Sequence, residues 1–197
     1  TPDGTGDFAT IQDAIYASSD CDVIELTNGT FAGPGNRDLN YLGKAITIRS
    51  ESGDPRLCII DCQGSPETEE HYGVWFKMGE DASSVLEGLT ITRGYYGSFP
   101  GGAGIVCKST SPVIRNCIFS SNVVPDVPNR KGGGVFCESA SPAFEQCAFI
   151  GNTAHQGGGV YLVECSATLD GCRFEGNSAT YGGGLGSGGP SSRNVIT

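Results

Sequence analysis

Eight side chains in this sequence are of the types that hold a sugar: Tyr95, Tyr96, Phe99, Arg130, Lys131, His155, Gln156 and Tyr181. Aromatic rings pack on the apolar CH faces of a pyranose, and amide and basic groups bond its hydroxyls. The eight are scattered over almost ninety residues, so the chemistry needs a fold that gathers them. The competing use of the aromatics is structural, folded over the edge of a core. For catalysis, the nearest candidate is Asp61, in CIIDCQG, with Arg49 upstream; a turn or ladder role for Asp61 is the favoured reading. Metal chemistry is poorly served. The nine cysteines include no tight CxxC pair and there are two histidines, so no cofactor is expected. Acidic patches could hold Ca²⁺, although acidity more often serves solubility.

What gathers such residues is a repeat. GAGIVCKSTSPVIRNCIFSSN (102–122), GGGVFCESASPAFEQCAFIGN (132–152) and GGGVYLVECSATLDGCRFEGN (157–177) align without gaps, and GGGL opens a further unit at Gly182. Periods of this size mark a solenoid. The units hold no long 3.6-residue periodicity. They hold short β-type runs separated by Gly, Ser-Pro and Asn, which describes coils of a parallel β-helix, about 25 residues each. Like residues then stack on like. Ile105, Val135, Val160 and Leu185 form one inward column. Phe119, Phe149 and Phe174 form another, continued by Ile91. Asn122, Asn152 and Asn177 form a ladder at a tight corner, where an amide satisfies backbone groups and tolerates a left-handed φ. The glycine runs make the next bend, where a Cβ has no room.

The coils differ mainly between the Asn and the glycine run, at YYGSFPG, VVPDVPNRK, TAHQ and SATY. Stacking lays these loops side by side along one edge, and all eight sugar-type residues fall there. Loops on a rigid scaffold are where binding residues sit. Cys117, Cys147 and Cys172 share one column, and Cys107 and Cys137 another. Cys107–Cys117 and Cys137–Cys147 are ten residues apart across a Ser-Pro turn, and Cys165 lies near Cys172. Intra-coil disulfides and reduced, buried thiol columns are both open. Upstream, Phe8, Ile11 and Ile15 fall on one helical face, with Thr10 and Asp13 resembling a capping box. An amphipathic helix there would cover the open end of the solenoid.

A formal charge of −10 argues against nucleic acid and anionic membrane as partners, and no apolar run approaches a bilayer span. Nine cysteines in an acidic chain point to an oxidising, extracellular or cell-surface location. The final residues end partway into a coil without an evident cap, which would allow self-association through that end.

DGTGDFATIQDAI followed by VIEL, NGTF and AITIRS resembles the start of pectinesterase- and pectate-lyase-like proteins. VLEGLTIT and the GGG, Cys, Ser-Pro, Cys-x-Phe-x-x-Asn units resemble the right-handed parallel β-helix repeats of bacterial secreted and surface proteins, including polymorphic outer-membrane adhesins. The resemblance implies an all-β, right-handed single-stranded parallel β-helix with a short N-terminal capping α-helix. It spans residues 1–197 as one domain, with the cap at 1–20, degenerate coils at 21–100 and regular coils at 101–197. For function it implies adhesin, stalk, lyase or esterase alike. Pectinesterase-like catalysis needs two carboxylates and an Arg, with Gln donors, on central coils; the family's QDT, DFIFG and LGRPW stretches are absent. The RxPxxR of pectate lyases and the GHG of polygalacturonases are absent too. The expectation is therefore a non-catalytic module binding a polysaccharide or a cell-surface glycan or protein. A polysaccharide lyase or esterase, and a stalk or assembling subunit, are the alternatives. Convergent carboxylates with an Arg would favour the enzyme; an exposed aromatic strip on the loop edge would favour binding.

Overall fold

The computed structural model describes residues 1–67, 69–98, 101–189 and 194–197. After one short helix every element is a short parallel strand, and the strands form three long ladders. Sheet A contains Val23–Leu26, Thr47–Ser50, Val85–Glu87, Val113–Arg115, Ala143–Glu145, Thr168–Asp170 and Val195–Ile196. Sheet B contains Gly29–Ala32, Cys58–Asp61, Thr90–Thr92, Ile118–Ser120, Ala148–Ile150 and Arg173–Glu175. Sheet C contains Leu39–Asn40, Val74–Phe76, Ile105–Lys108, Val135–Glu138, Val160–Val163 and Leu185–Gly188. The chain visits A, B and C in turn, which makes six coils, each starting at its sheet A strand. The rise per coil varies in sequence: Thr47 pairs with Val85, 38 residues on, whereas Ala143 pairs with Thr168, 25 residues on.

In-register stacking turns sequence alignment into contact. Leu39, Val74, Ile105, Val135, Val160 and Leu185 form one column of sheet C. In sheet B, Phe31, Ile60, Ile91, Phe119, Phe149 and Phe174 stack in order. The three phenyl rings lie nearly parallel, with centroids 5.2 and 4.9 Å apart. These apolar columns meet along the axis as one continuous core and exclude water, which is the main source of the fold's stability.

The asparagine ladder forms as expected, with one correction. Asn152 Oδ1 accepts from the Asn122 backbone N–H (3.0 Å) and amide (3.1 Å). Asn152 Nδ2 donates to Phe119 O (2.9 Å) and Asn177 Oδ1 (3.0 Å). The left-handed backbone, however, belongs to the residue before each Asn: Ser121 (φ 54°), Gly151 (61°) and Gly176 (60°). The αL residue makes the bend and the Asn turns inward, where its amide meets the backbone of adjacent coils.

The glycine runs mark close approach between coils. A Cβ on Gly134 would lie 2.6 Å from Gly159 O and 3.2 Å from Asn152 Cγ, both fixed parts of the stack. Gly134→Ala is expected to cost about 1–3 kcal/mol in chemical denaturation, the usual price of forced overpacking. A cost below 0.5 kcal/mol would show that the glycines are not there for contact.

At the N-terminal end the helix runs Ile11–Ala17 with Thr10 as its cap, and Ile11 and Ile15 are buried over the first coil. Thr10 Oγ1 accepts from Asp13 N and donates to Asp13 Oδ2, so only half of a capping box forms. Phe8 lies outside the helix and is largely exposed, contrary to the expected apolar face, because the helix begins three residues later.

All nine cysteines are free thiols. Of the two readings left open, the intra-coil bridges involving Cys107, Cys117, Cys137, Cys147, Cys165 and Cys172 do not form. The Ser-Pro segment is not a hairpin: it carries the chain from sheet C round to sheet A, and a whole sheet A strand separates Cys107 from Cys117, and Cys137 from Cys147. The sulfurs stack instead between coils. Burial pushes the Cys117 thiol up to about 12.

Candidate functional site: the B–C edge

The loops between sheets B and C do lie side by side, and they bond to one another. Tyr95 pairs with Val123, and Val123 with Thr153, in parallel; Thr153 then pairs with Ser178. A second row runs Gly101, Lys131, Gln156 and Tyr181. Three of the sugar-type residues therefore occupy successive rungs of one row. Between the two rows the fourth coil has five more residues than the fifth, and these bulge outward as the loop around Asp126–Arg130.

The edge divides into two stations. At the upper one, Tyr72, Trp75 and Tyr96 meet edge-on, with centroids 5.5–6.4 Å apart. Tyr95 is held by backbone bonds to His71, and Tyr96 packs on Ala103, Val124 and Ala154. Burial, and after it Glu70, raises the Tyr96 hydroxyl pKa, against the nearby charge of Arg130. These aromatics chiefly seal the edge of the core. Phe99 lies outside the described residues.

At the lower station the edge opens. Outward positions of sheet C run Trp75, Val106, Phe136, Tyr161 and Gly186 in register. Tyr161 lies across Gly186 and Gly188: a Cβ on Gly186 would be 2.7 Å from its Cδ2, and one on Gly188 2.7 Å from its hydroxyl. With no side chain at Gly186, a groove of about 450 Å³ opens between Gln156, Tyr161, Tyr181, Gly182, Gly186 and Ser187. The Tyr181 side is 63% exposed. Lys131 Nζ stands 5.1 Å from the Tyr161 ring centre. His155 meets Tyr181 edge-on at 5.5 Å and is held by Asp126 at 2.8 Å, which also accepts from Thr180. The His155 and Thr180 bonds hold the Asp126 carboxyl below its ordinary pKa, so this brace persists through neutral pH and loosens as acid titrates it.

Tyr161 and Gly186 are the groove positions that sequence reasoning missed. Alternation from the inward Val160 was the available signal for Tyr161. The groove at Gly186 depends on a missing side chain, which no residue type announces.

Asp61 is not paired with Arg49. Arg49 bonds Glu25 at 2.6 Å, while Asp61 takes both arms of Arg93, one at 2.8 Å, and the Gln63 N–H at 3.1 Å. It acts as a turn residue, because the irregular early coils bring Arg93 rather than Arg49 beside it.

Carboxylates and an Arg do converge elsewhere, on the outer face of sheet A. Glu25, Arg49, Glu87, Arg115, Glu145 and Asp170 stand in register there. Glu87, Arg115, Asn116, Glu145, Gln146 and Asp170 line a shallow depression. Arg115 Nε bonds Glu87 at 3.2 Å. Sign alternates from Glu25 to Glu145, which suits a solvated ladder of ion pairs, and two like charges, Glu145 and Asp170, meet at its end. Among the described residues no group of three or more His, Cys, Asp or Glu could hold a metal ion. Among the described residues no helix is long and apolar enough to cross a membrane.

The right-handed β-helix region profile matches residues 8–197. The chain belongs to the right-handed β-helix family. A solved rhamnogalacturonan lyase superposes on 99% of this β-helix with a TM-score of 0.50 and 14% sequence identity. The match takes in 64% of the lyase chain and shows a shared fold. No curated protein sequence matches.

Proposed function

We propose that this β-helix is a glycan-binding module of the cell surface or extracellular space, with its site in the groove at coils five and six. The observation that carries the reading is the exposed Tyr181 ring beside groups left free to bond. Among the described residues the Gln156 amide and the Ser187 hydroxyl have no hydrogen-bond partner, and glycine backbone forms the floor. A sugar ring stacked on Tyr181 would meet an amide and a hydroxyl at its rim. The groove offers binding groups rather than a catalytic pair, since the neighbouring Asp126 is committed to His155 and Thr180.

Tyr181→Ala and Gln156→Ala are each expected to weaken oligosaccharide binding about tenfold in calorimetric titration. Tyr95→Ala, at the sealed station, should leave the affinity within about twofold if the fold holds. Unchanged affinity in Tyr181→Ala would refute the assignment of the groove.

A second reading rests on sheet A. Arg115, Glu145, Asp170 and Gln146, on coils four to six, supply the residue types that pectinesterase-like chemistry requires. Release of acid or of unsaturated product from pectic polysaccharide, abolished in Arg115→Ala, would favour this face over the groove.

A further inference from the structure

The sulfur column at the corner between sheets A and B is built for a different linkage from the one its spacing suggests. Cys117, Cys147 and Cys172 each precede a sheet B strand, and those strands pair in register as Ile118, Ala148 and Arg173. Each sulfur adopts the same pose, directed at a carbonyl on the preceding coil and at the carbonyl two residues back. For Cys147 these are Ile114 O at 3.4 Å and Glu145 O at 3.5 Å; for Cys172, Phe144 O at 3.5 Å and Asp170 O at 3.7 Å. Successive sulfurs are therefore related by one rung. Adjacent strands lie about 4.8 Å apart, inside the roughly 4.4–6.8 Å Cα separation that a disulfide spans.

Exposure distinguishes the members of the column. Cys117 and Cys147 are each 1% exposed, whereas Cys172 is only half-buried. We propose that Cys147 and Cys172 are a modification site, joined by a disulfide that staples the fifth coil to the sixth. Cys172 is the entry point. The neighbouring Cys147 side chain holds the Cys172 pKa below its ordinary value, while burial raises that of Cys147. A low-molecular-weight disulfide such as oxidised glutathione is the oxidant. The Cys172 thiolate attacks one of its sulfurs, forming a mixed disulfide and releasing one glutathione thiolate. Cys147 then loses its proton and attacks Cys172 sulfur, releasing the second glutathione as thiol. Two cysteine thiols are oxidised and one glutathione disulfide is reduced to two thiols.

The test treats the reduced, folded chain with oxidised glutathione and reads the intact mass and the peptide map. Cys21 is exposed and serves as an internal control for access of the oxidant. The expected product carries glutathione at Cys21 and, separately, has lost two hydrogens. Digestion after Glu and Asp then yields a cross-link between residues 146–164, holding Cys147, and residues 171–175, holding Cys172. Cys172→Ser, a change at a half-buried position, should take up glutathione at Cys21 and form no cross-link. Glutathione retained on Cys172, a Cys137–Cys147 link within the fourth-to-fifth turn, or thiols unchanged at both Cys147 and Cys172 while Cys21 reacts, would each overturn the proposal.

Discussion

Asn152→Ala is expected to destabilise the chain by about 3–5 kcal/mol in urea or guanidinium titration, more than loss of any surface side chain. Asn152 is fully buried and makes four bonds, two through each end of its amide. Alanine removes all four partners at once. It leaves the buried Asn122 N–H and Phe119 O without these bonds, while the Asn122 amide keeps Ile91 O and the half-buried Asn177 Oδ1 keeps the N–H of residue 152. Each buried group stranded in this way costs about 1–3 kcal/mol, and partial relaxation sets the lower end of the range. Because coils contact only their neighbours, the damage should appear as early loss of the fifth and sixth coils rather than as a uniform loss. Hydrogen exchange would show fast amides in residues 152–188 while the first three coils stay protected. A cost below 1 kcal/mol would mean that water replaces the amide, and that the ladder is a corner filler only.

The second large effect concerns the ring stack. Phe149→Ala should cost about 3–5 kcal/mol, the usual range for deleting a buried phenyl ring. Phe149 is sandwiched between Phe119 and Phe174 and meets Phe144 edge-on at 5.9 Å. The ladder strands above and below are hydrogen-bonded and cannot close the gap, so the cavity should persist. Phe149→Leu keeps most of the volume and is expected to recover more than half of the loss. Equal stability of the Ala and Leu variants would show that the coils collapse around the vacancy.

Both effects were legible in the sequence for one reason: in a parallel stack, residues that align are residues that touch. Ile105, Val135, Val160 and Leu185, the three phenylalanines and the three asparagines could be read as columns before any coordinate was known. Legibility failed where that equivalence fails. In the early coils, the 38-residue step between Thr47 and Val85 removes the alignment, and Arg93 rather than Arg49 reaches Asp61. Cys107 and Cys117 look close along the chain, yet a sheet A strand lies between them. The edge was legible as a set of loops, but its division into a sealed station and an open one was not. That division comes from Tyr96 packing inward and from Gly186 leaving Tyr161 and Tyr181 a shared hollow.

The most direct test of the account is a glycan array probed with the purified chain, with and without Ca²⁺. A defined set of glycans is expected to bind, without need of Ca²⁺, and the signal to vanish in Tyr181→Ala. Absence of binding to every glycan under both conditions would contradict it.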